Sequence, residues 1–192
     1  MQQERRQYFR IASQVAVHVE PVEGNKHVSL EMLEQERPKA FALVNDVNQI
    51  AMEAERLVRQ LDRTDPTVAE FCRNIDKRIQ LLTRFIALQA LSDPVEQKLV
   101  SISGNGLRFT TDKAFEKGQV VRVELMLPDS GSTILCFGEV VDTRKVDDGF
   151  EIAVTFTVIS EADRDAIIRH VLTREAELLR NKKESGEIGA ST

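Results

Sequence analysis

The apolar residues of this chain follow two rhythms, which divide it into a helical middle and two flanking β stretches. Between residues 43 and 91 they recur at alternating steps of three and four, the heptad spacing of a coiled coil. Outside this stretch they alternate with polar residues, as in half-buried strands. The first helical repeat consists of Leu43, Val47, Ile50, Ala54, Leu57 and Leu61. The second consists of Val68, Cys72, Ile75, Ile79, Leu82 and Ile86.

Turn and cap residues set the limits of these helices. A short helix is predicted at 29–36, a first long helix at 38–61 and a second at 66–91. Asp65 suits the N-cap of the second long helix, where Pro66 takes the first position. Ser92-Asp93-Pro94 ends it, because the residue before a proline disfavours helical geometry.

The flanking stretches predict six short strands joined by tight turns, followed by a helix that begins at Ser160. The strands are expected at 11–20, 98–103, 107–110, 119–127, 133–143 and 150–159. Such a set is typical of a small antiparallel barrel. We therefore predict an α+β fold, a six-stranded antiparallel barrel interrupted by a long two-helix coiled-coil insertion and closed by a C-terminal helix. Residues 1–27 and 97–180 form the predicted barrel domain, residues 28–96 the insertion and residues 181–192 a flexible tail.

Composition narrows the functional classes. The 192 residues carry a net charge of −5, which argues against DNA as a partner, and 42% are hydrophobic, enough for a folded core. Cys72 and Cys136 lie in apolar elements and are expected to be buried thiols in a reducing compartment. The N-terminus has no apolar signal region and no stretch approaches a membrane span. We expect a cytoplasmic protein without membrane insertion.

Two short segments carry candidate binding chemistry. One is ERRQYFRI, with Arg5, Arg6 and Arg10 before the first strand. Guanidinium groups bind phosphate and the guanine edge and stack on bases. The other is SISGNGLRF, in which Ser101 and Ser103 alternate to one face, and Gly106 lets the backbone approach closely and turn with a positive φ. A solvated basic N-terminus and an ordinary turn remain the alternative.

In this order, and with GFEIAVTFTVISEADRDAII near the end, these segments resemble the PilZ family of bacterial cyclic di-GMP receptors, which are built on a six-stranded barrel. The resemblance covers residues 4–27 and 97–180. The family motifs are R-x-x-x-R and [D/N]-x-S-x-x-G. They imply that Arg6, Arg10, Ser103 and Gly106 bind cyclic di-GMP, with help from Arg5 and from Ser101, and that the chain needs no cofactor.

The chain departs from the family pattern in two ways. Ser101 stands where the motif has Asp or Asn, and Asn105 stands where many members have a second glycine. A hydroxyl offers less reach toward a guanine edge, and one lost hydrogen bond lowers affinity by about one to two orders of magnitude. A scaffold that acts through protein partners and binds nucleotide weakly or not at all therefore stays open.

The insertion resembles that of PilZ-like proteins that assemble as tetramers through helical heptads. Phe71, Leu81, Phe85 and Leu88 widen the apolar stripe beyond what one facing helix covers. We expect a homo-oligomer, a tetramer by the resemblance, held by Val68, Cys72, Ile75, Ile79, Leu82 and Ile86. A monomer whose helices pack on each other and on the barrel is the alternative.

No catalytic or metal-binding pattern stands out. His18, His27 and His170 are scattered and lack the spacing of metal ligands. We expect no catalytic residues and no metal, and a signalling receptor or adaptor with a downstream protein partner that the sequence does not identify.

Overall fold

The computed structural model describes residues 9–24, 27–92 and 95–188, and in them the chain forms a barrel of six strands with four helices. The helical insertion lies between the first and second strands. In chain order the elements are β1 (Ile11–Pro21), α1 (Leu30–Glu36), α2 (Lys39–Thr64), α3 (Pro66–Ala90), β2 (Glu96–Ser103), β3 (Gly106–Thr111), β4 (Val120–Met126), β5 (Thr133–Val146), β6 (Gly149–Ile159) and α4 (Glu161–Ile188). The predicted fold class is confirmed.

The six strands close a barrel in the order β1-β2-β3-β6-β5-β4, and every neighbouring pair is antiparallel. Strand β1 closes it because its first half pairs with β2 and its second half with β4. Closure leaves no free sheet edge among these strands.

The barrel interior is filled by aliphatic residues from alternate positions of each strand, as the period of two requires. Ile102, Leu107 and Val154 are among the completely or almost completely buried members. Helix α4 lies against this core and adds Ile167 and Val171 to it. The C-terminal helix is therefore part of the barrel's hydrophobic core.

A second apolar cluster joins the insertion to the outer face of β1, β4 and β5. Leu33 of α1 and Phe41 of α2 are fully buried there against Phe137 of β5. The end of α3 also reaches this cluster through Ala87 and Leu91. The insertion thus covers one side of the barrel and reaches Val158 near the end of β6, whereas the outer face of β2 and β3 lies outside this cluster.

Capping follows the sequence closely. The Ser29 side chain accepts from the Met32 backbone N–H at the start of α1, and Asp65 accepts from Val68 N–H at the start of α3.

Helix α4 extends to Ile188, beyond residue 180, at which the barrel domain was expected to end. The division into domains and the flexibility of residues 181–192 stay predictions.

One buried ion pair connects the insertion with the C-terminal helix. Arg37, just after α1, donates to Asp163 of α4 at 2.7 Å, and the Asp163 side chain is almost completely buried. Burial raises the pKa of this carboxyl, and the Arg37 guanidinium opposes that shift. Removing Arg37 would leave a buried charge without its partner, so the pair fixes α1 against α4.

Candidate functional site

The motif segment SISGNG forms the hairpin between β2 and β3, with Ser103 paired to Gly106 across a two-residue turn of Gly104 and Asn105. Gly106 lies so close to β6 that a Cβ on it would stand 2.2 Å from the Val154 carbonyl oxygen. The predicted close approach of the backbone is confirmed. The accompanying expectation of a positive φ at Gly106 is wrong, because none of the positive-φ glycines in the described residues lies in this hairpin.

Helix α4 holds this turn in place through Arg164. Its Nη1 donates to the Gly104 carbonyl oxygen at 2.6 Å and to Asn105 Oδ1 at 2.9 Å. Asn105, noted in the sequence as a departure from the family pattern, therefore has a structural partner that glycine would lack. The Phe156 backbone N–H also donates to the Asn105 carbonyl oxygen at 2.9 Å, so the turn is bonded to both α4 and β6.

Next to the turn, four side chains lie level with one another on the outer face of the barrel. Ala12 of β1 pairs with Ser101 of β2, Ser101 with Arg108 of β3, and Arg108 with Ala153 of β6. They point outwards because the neighbours of Ser101 and Arg108 in sequence belong to the interior core. We call these four residues the outer row. Three of them are small, and Arg108 is the long basic member.

The predicted site residues fall on this same side of the barrel as far as the structure describes them. Arg10 is exposed directly before β1, and the β1–β2 register extended by one residue places it level with Ser103. Ser101 is half-buried in the outer row. Ser103 is buried, and its hydroxyl donates to the Gly106 carbonyl oxygen at 3.3 Å. Arg5 and Arg6 lie outside the described residues. Ligand binding by these residues stays a prediction.

Arg108 was not singled out by sequence reasoning, although its position was accessible to it. A two-residue turn that pairs Ser103 with Gly106 necessarily sets Ser101 opposite Arg108. In the structure Arg108 Nη1 lies 2.6 Å from Glu151 Oε2, and its Nη2 lies 3.8 Å from Asp142 Oδ2. Arg108 therefore connects the outer row with two acidic groups, Glu151 on β6 and Asp142 on β5.

A buried polar link supports the start of β1 from inside. His170 of α4 is hydrogen-bonded through Nε2 to the Ser13 hydroxyl at 2.9 Å, and its Nδ1 lies 3.0 Å from Asp129 in the β4–β5 turn. Burial lowers the pKa of this histidine, with the Asp129 carboxylate opposing the shift. Arg84 of α3 donates to the Asp129 carbonyl oxygen at 2.8 Å. The β4–β5 turn thus contacts both α3 and α4.

The predicted oligomerisation residues lie on the surface of the single chain. Helices α2 and α3 form a hairpin in which Arg73 of α3 pairs with Asp62 of α2. The fully buried residue near the start of α3 is Ala69, whereas the side chains of the predicted seam are 39–66% exposed, Cys72 excepted. Cys72 is half-buried. The seam is Val68, Cys72, Ile75, Ile79, Leu82 and Ile86.

The two cysteines differ. Cys136 is completely buried, and burial raises the pKa of its thiol far above the usual range. This confirms the expectation for Cys136, whereas Cys72 is only partly covered in one chain. In the part of the chain that the structure describes, no group of three or more histidine, cysteine or carboxylate side chains is placed to hold a metal ion. None of the described helices is long and apolar enough to cross a bilayer.

Comparison with known proteins gives one family match. The model of the PilZ domain matches residues 69–173, more than half of the chain, from within α3 into α4. No curated protein sequence matches this chain.

Several solved structures are similar to this chain, among them the following two. One is a pathogenic protein from Xanthomonas campestris, described as a tetrameric PilZ domain self-assembled via an unusual helical bundle; its TM-score is 0.58 at 12% identity, and 91% of each chain is covered. The other is the inhibitor of motility from Bacillus subtilis, with a TM-score of 0.49 and 12% identity over 91% of this chain and 53% of that one. At such identity, the first likeness shows a shared fold alone.

Proposed function

Because this chain belongs to the PilZ domain family, we propose that it is a cyclic di-GMP receptor that assembles through its helical insertion and passes the signal to a protein partner. PilZ domains bind cyclic di-GMP and act as binding and adaptor proteins. In this proposal the chain is cytoplasmic, needs no cofactor and is not an enzyme. Residues 1–27 and 97–180 bind the ligand, residues 28–96 hold the assembly, and residues 181–192 are a flexible tail.

The observation that carries the ligand proposal is the common face of the two motif segments. Arg10 precedes β1 at the level of Ser103, and the half-buried Ser101 lies beside Ala12 and Arg108. A cyclic dinucleotide offers two phosphates and two guanine edges, which guanidinium groups bind bidentately. Arg6 and Arg10 are assigned to the phosphates and guanines, with Arg5 as a third basic group. Ser101, Ser103 and Gly106 shape the strand side.

The small side chains of the outer row support the same assignment. Ala12 and Ser101 are adjacent small side chains on β1 and β2, and Arg108 of β3 lies on the far side of Ser101. A flat base can approach this pair of small residues beside Arg108. Binding would order the N-terminal segment onto this face, and that ordering can create or hide a partner surface.

The observation that supports assembly is the exposed heptad face of α3. Ile75, Ile79 and Leu82 are at least 40% exposed in one chain, and Phe71 and Phe85 widen the same surface. A contiguous apolar surface of this kind marks an interaction site in a soluble protein. Because its heptad pattern fits other helices of the same kind, we propose that copies of this chain associate through it, as a tetramer.

The ligand proposal is tested by calorimetric titration of cyclic di-GMP into the full chain, its Arg6→Ala and Arg10→Ala variants and the control Arg59→Ala. Arg59 is an exposed arginine of α2 that pairs with Glu55, so its loss removes a charge far from the site. We expect binding to the wild type, at least tenfold weaker binding to each motif variant and an unchanged control. Unchanged affinity in both motif variants would overturn the assignment of Arg6 and Arg10 to the ligand.

A second candidate is a scaffold with little or no nucleotide binding. Ser101 favours it, because a hydroxyl presents one polar atom where the family motif presents a planar carboxylate or amide. Asn105 favours it too, because its side chain is already engaged by Arg164. A wild type that gives no heat over several temperatures and no signal in a direct binding assay would select the scaffold.

A further inference from the structure

Arg108 is the third member of the outer row, between Ser101 and Ala153, and is paired with two carboxylates. Its side chain is 32% exposed and that of Glu151 is 34% exposed, so the 2.6 Å contact between them lies at the surface. The second carboxylate, Asp142, lies 3.8 Å from the other guanidinium nitrogen. The remaining members of the row are Ala12, Ser101 and Ala153, which leave the guanidinium uncovered by bulky neighbours.

We propose that Arg108 is a further ligand contact of this site and that Glu151 holds it back in the unliganded protein. This inference rests on the proposed function. On binding, the Arg108–Glu151 ion pair would break, and Arg108 would donate instead to a hydrogen-bond acceptor of the ligand. The affinity of the site is then set partly by a carboxylate on β6 that belongs to neither motif segment.

The geometry of the ladder carries the first half of this proposal. Ser101 and Arg108 are directly opposed on β2 and β3, and directly opposed side chains on one face lie about 5 Å apart at Cβ. A ligand that reaches the Ser101 hydroxyl is therefore within reach of the Arg108 side chain. The planar guanidinium fits either a phosphate or the guanine edge bidentately.

The charges carry the second half. An anionic ligand on the outer row would meet Glu151 and Asp142 as repulsive neighbours unless Arg108 stood between them. Asp142 also accepts from Arg144 Nε at 2.9 Å, so it keeps a cationic partner when Arg108 turns to the ligand. Ion pairs this exposed contribute little net stability, so a charged ligand can compete for Arg108.

Titration of cyclic di-GMP into the full chain tests both halves. We expect Arg108→Ala to lower affinity about tenfold or more, since a charge-assisted bond is lost. Glu151→Gln, which keeps the shape but removes the competing charge, should raise affinity several-fold. Arg59→Ala is the control: it removes an exposed arginine of α2 that pairs with Glu55 and belongs neither to the outer row nor to its acidic neighbours. It should change affinity less than about twofold.

The outcomes separate this inference from the function on which it rests. Wild-type binding with unchanged affinity in Arg108→Ala would overturn the contact and leave the receptor function intact. Equal losses of affinity in Arg108→Ala and Arg59→Ala would show that only the overall charge matters, and would also overturn the contact. Unchanged or weaker binding by Glu151→Gln would overturn the proposal that Glu151 competes with the ligand for Arg108. Absence of binding in the wild type and every variant would overturn both proposals. If Arg108→Ala fails to fold, Arg108→Lys replaces it and should also lose affinity, because it lacks the planar fork.

Discussion

The helical hairpin and the outer face of β2, β3 and β6 are two exposed surfaces of one chain with opposite chemistry. The hairpin presents Ile79, Leu82 and Phe85 to solvent at 44%, 66% and 63%. The barrel face presents the outer row, which has small residues and Arg108 paired to Glu151. Burial of the apolar hairpin surface lowers the free energy because it removes apolar groups from water. The barrel face instead offers charge and hydrogen bonds to a polar ligand. The exposure of a surface therefore indicates a function only together with the chemical character of its side chains.

The same difference appears in how the two regions pack internally. In the barrel, large aliphatic residues such as Ile102 and Leu107 face inwards. In α3 the fully buried positions are Ala69 and Ala87, and the large residues face outwards. A barrel completes its core within one chain, whereas the hairpin leaves its larger apolar face unburied in a single chain. This exposed apolar face is the surface to which the assembly proposal applies.

The largest effect is expected where the hairpin surface is made polar. Replacing Ile75, Ile79 and Leu82 together with serine or glutamine should dissociate the assembly, because the desolvated apolar face is lost. Light scattering should then give a monomer mass, and circular dichroism should still show a folded barrel. Lys77→Gln, an exposed and charged position on the same helix, is the control and should leave the mass unchanged. A monomeric wild type would contradict assembly altogether.

On the barrel side, Gly106→Ala should destabilise the fold by about 3 kcal/mol. The added Cβ would stand 2.2 Å from the Val154 carbonyl oxygen, and backbone on both sides must move to accept it. Urea unfolding measures the change in the free energy of unfolding. Gly118→Ala is the control: Gly118 has a φ of +85° with no atom within 4 Å of the added Cβ, so only backbone strain of about 1 kcal/mol is expected. Equal losses in both variants would refute steric contact as the cause.

The Ser101→Asp substitution would make the outer row more polar and tests its role in ligand binding. The planar carboxylate restores the family motif and adds a hydrogen-bond acceptor beside the predicted ligand, so affinity for cyclic di-GMP should rise by about 1–3 kcal/mol. Calorimetry measures it, with Ser103→Asp as the contrast. Ser103 is buried against the Gly106 carbonyl oxygen, so a carboxylate there should weaken binding or folding. Weaker binding by Ser101→Asp would show that the carboxylate repels the ligand.

The smallest effect concerns the link from β1 to α4, which supports the barrel face from inside. Burial lowers the pKa of His170 below its ordinary 6.5, with Asp129, Arg174 and Glu177 nearby. The unfolded chain therefore takes up this proton at a higher pH than the folded chain does. The contribution is fully present above about pH 6.5 and is lost as the pH falls through the lower folded value.

Unfolding midpoints at about pH 7.5 and 5.5 measure this loss. His170→Gln should show a smaller loss of stability on acidification than the wild type, because its side chain does not titrate. His27→Gln, at an exposed position, is the control and should follow the wild type. A wild type and His170→Gln with identical pH dependence would mean that His170 does not contribute.

Local sequence signals were sufficient for the elements and for the fold class. Strict alternation in Phe150, Ile152, Val154 and Phe156 predicts a strand with one buried face, and those residues do line the core. Asp65 and Pro66 specify a helix start through capping that depends on neighbours only. Such signals act over one turn or one pleat, so they are readable without knowing the rest of the chain.

The heptad pattern could also be recognised in the sequence, but the surface that it would contact could not be predicted. A seam of apolar residues is compatible with a partner helix from the same chain or from another. In the structure the hairpin buries Ala69 of α3 and leaves Ile75 and Ile79 at least 40% exposed. Which face α3 turns to α2 depends on how α1, α2 and the end of α3 fit on the barrel through Phe41 and Leu91.

The strands, the helices, the hairpin turn and the two motif segments are predictable from the sequence, because each depends on residues near one another in the chain. The contacts of Arg164 with Asn105 and of Glu151 with Arg108 are not predictable in this way. Those contacts join residues 59 and 43 positions apart, and they exist because barrel closure brings β3 beside β6 and α4 against the β2–β3 turn. Long-range neighbours are set by the register of the whole sheet, which no local pattern specifies.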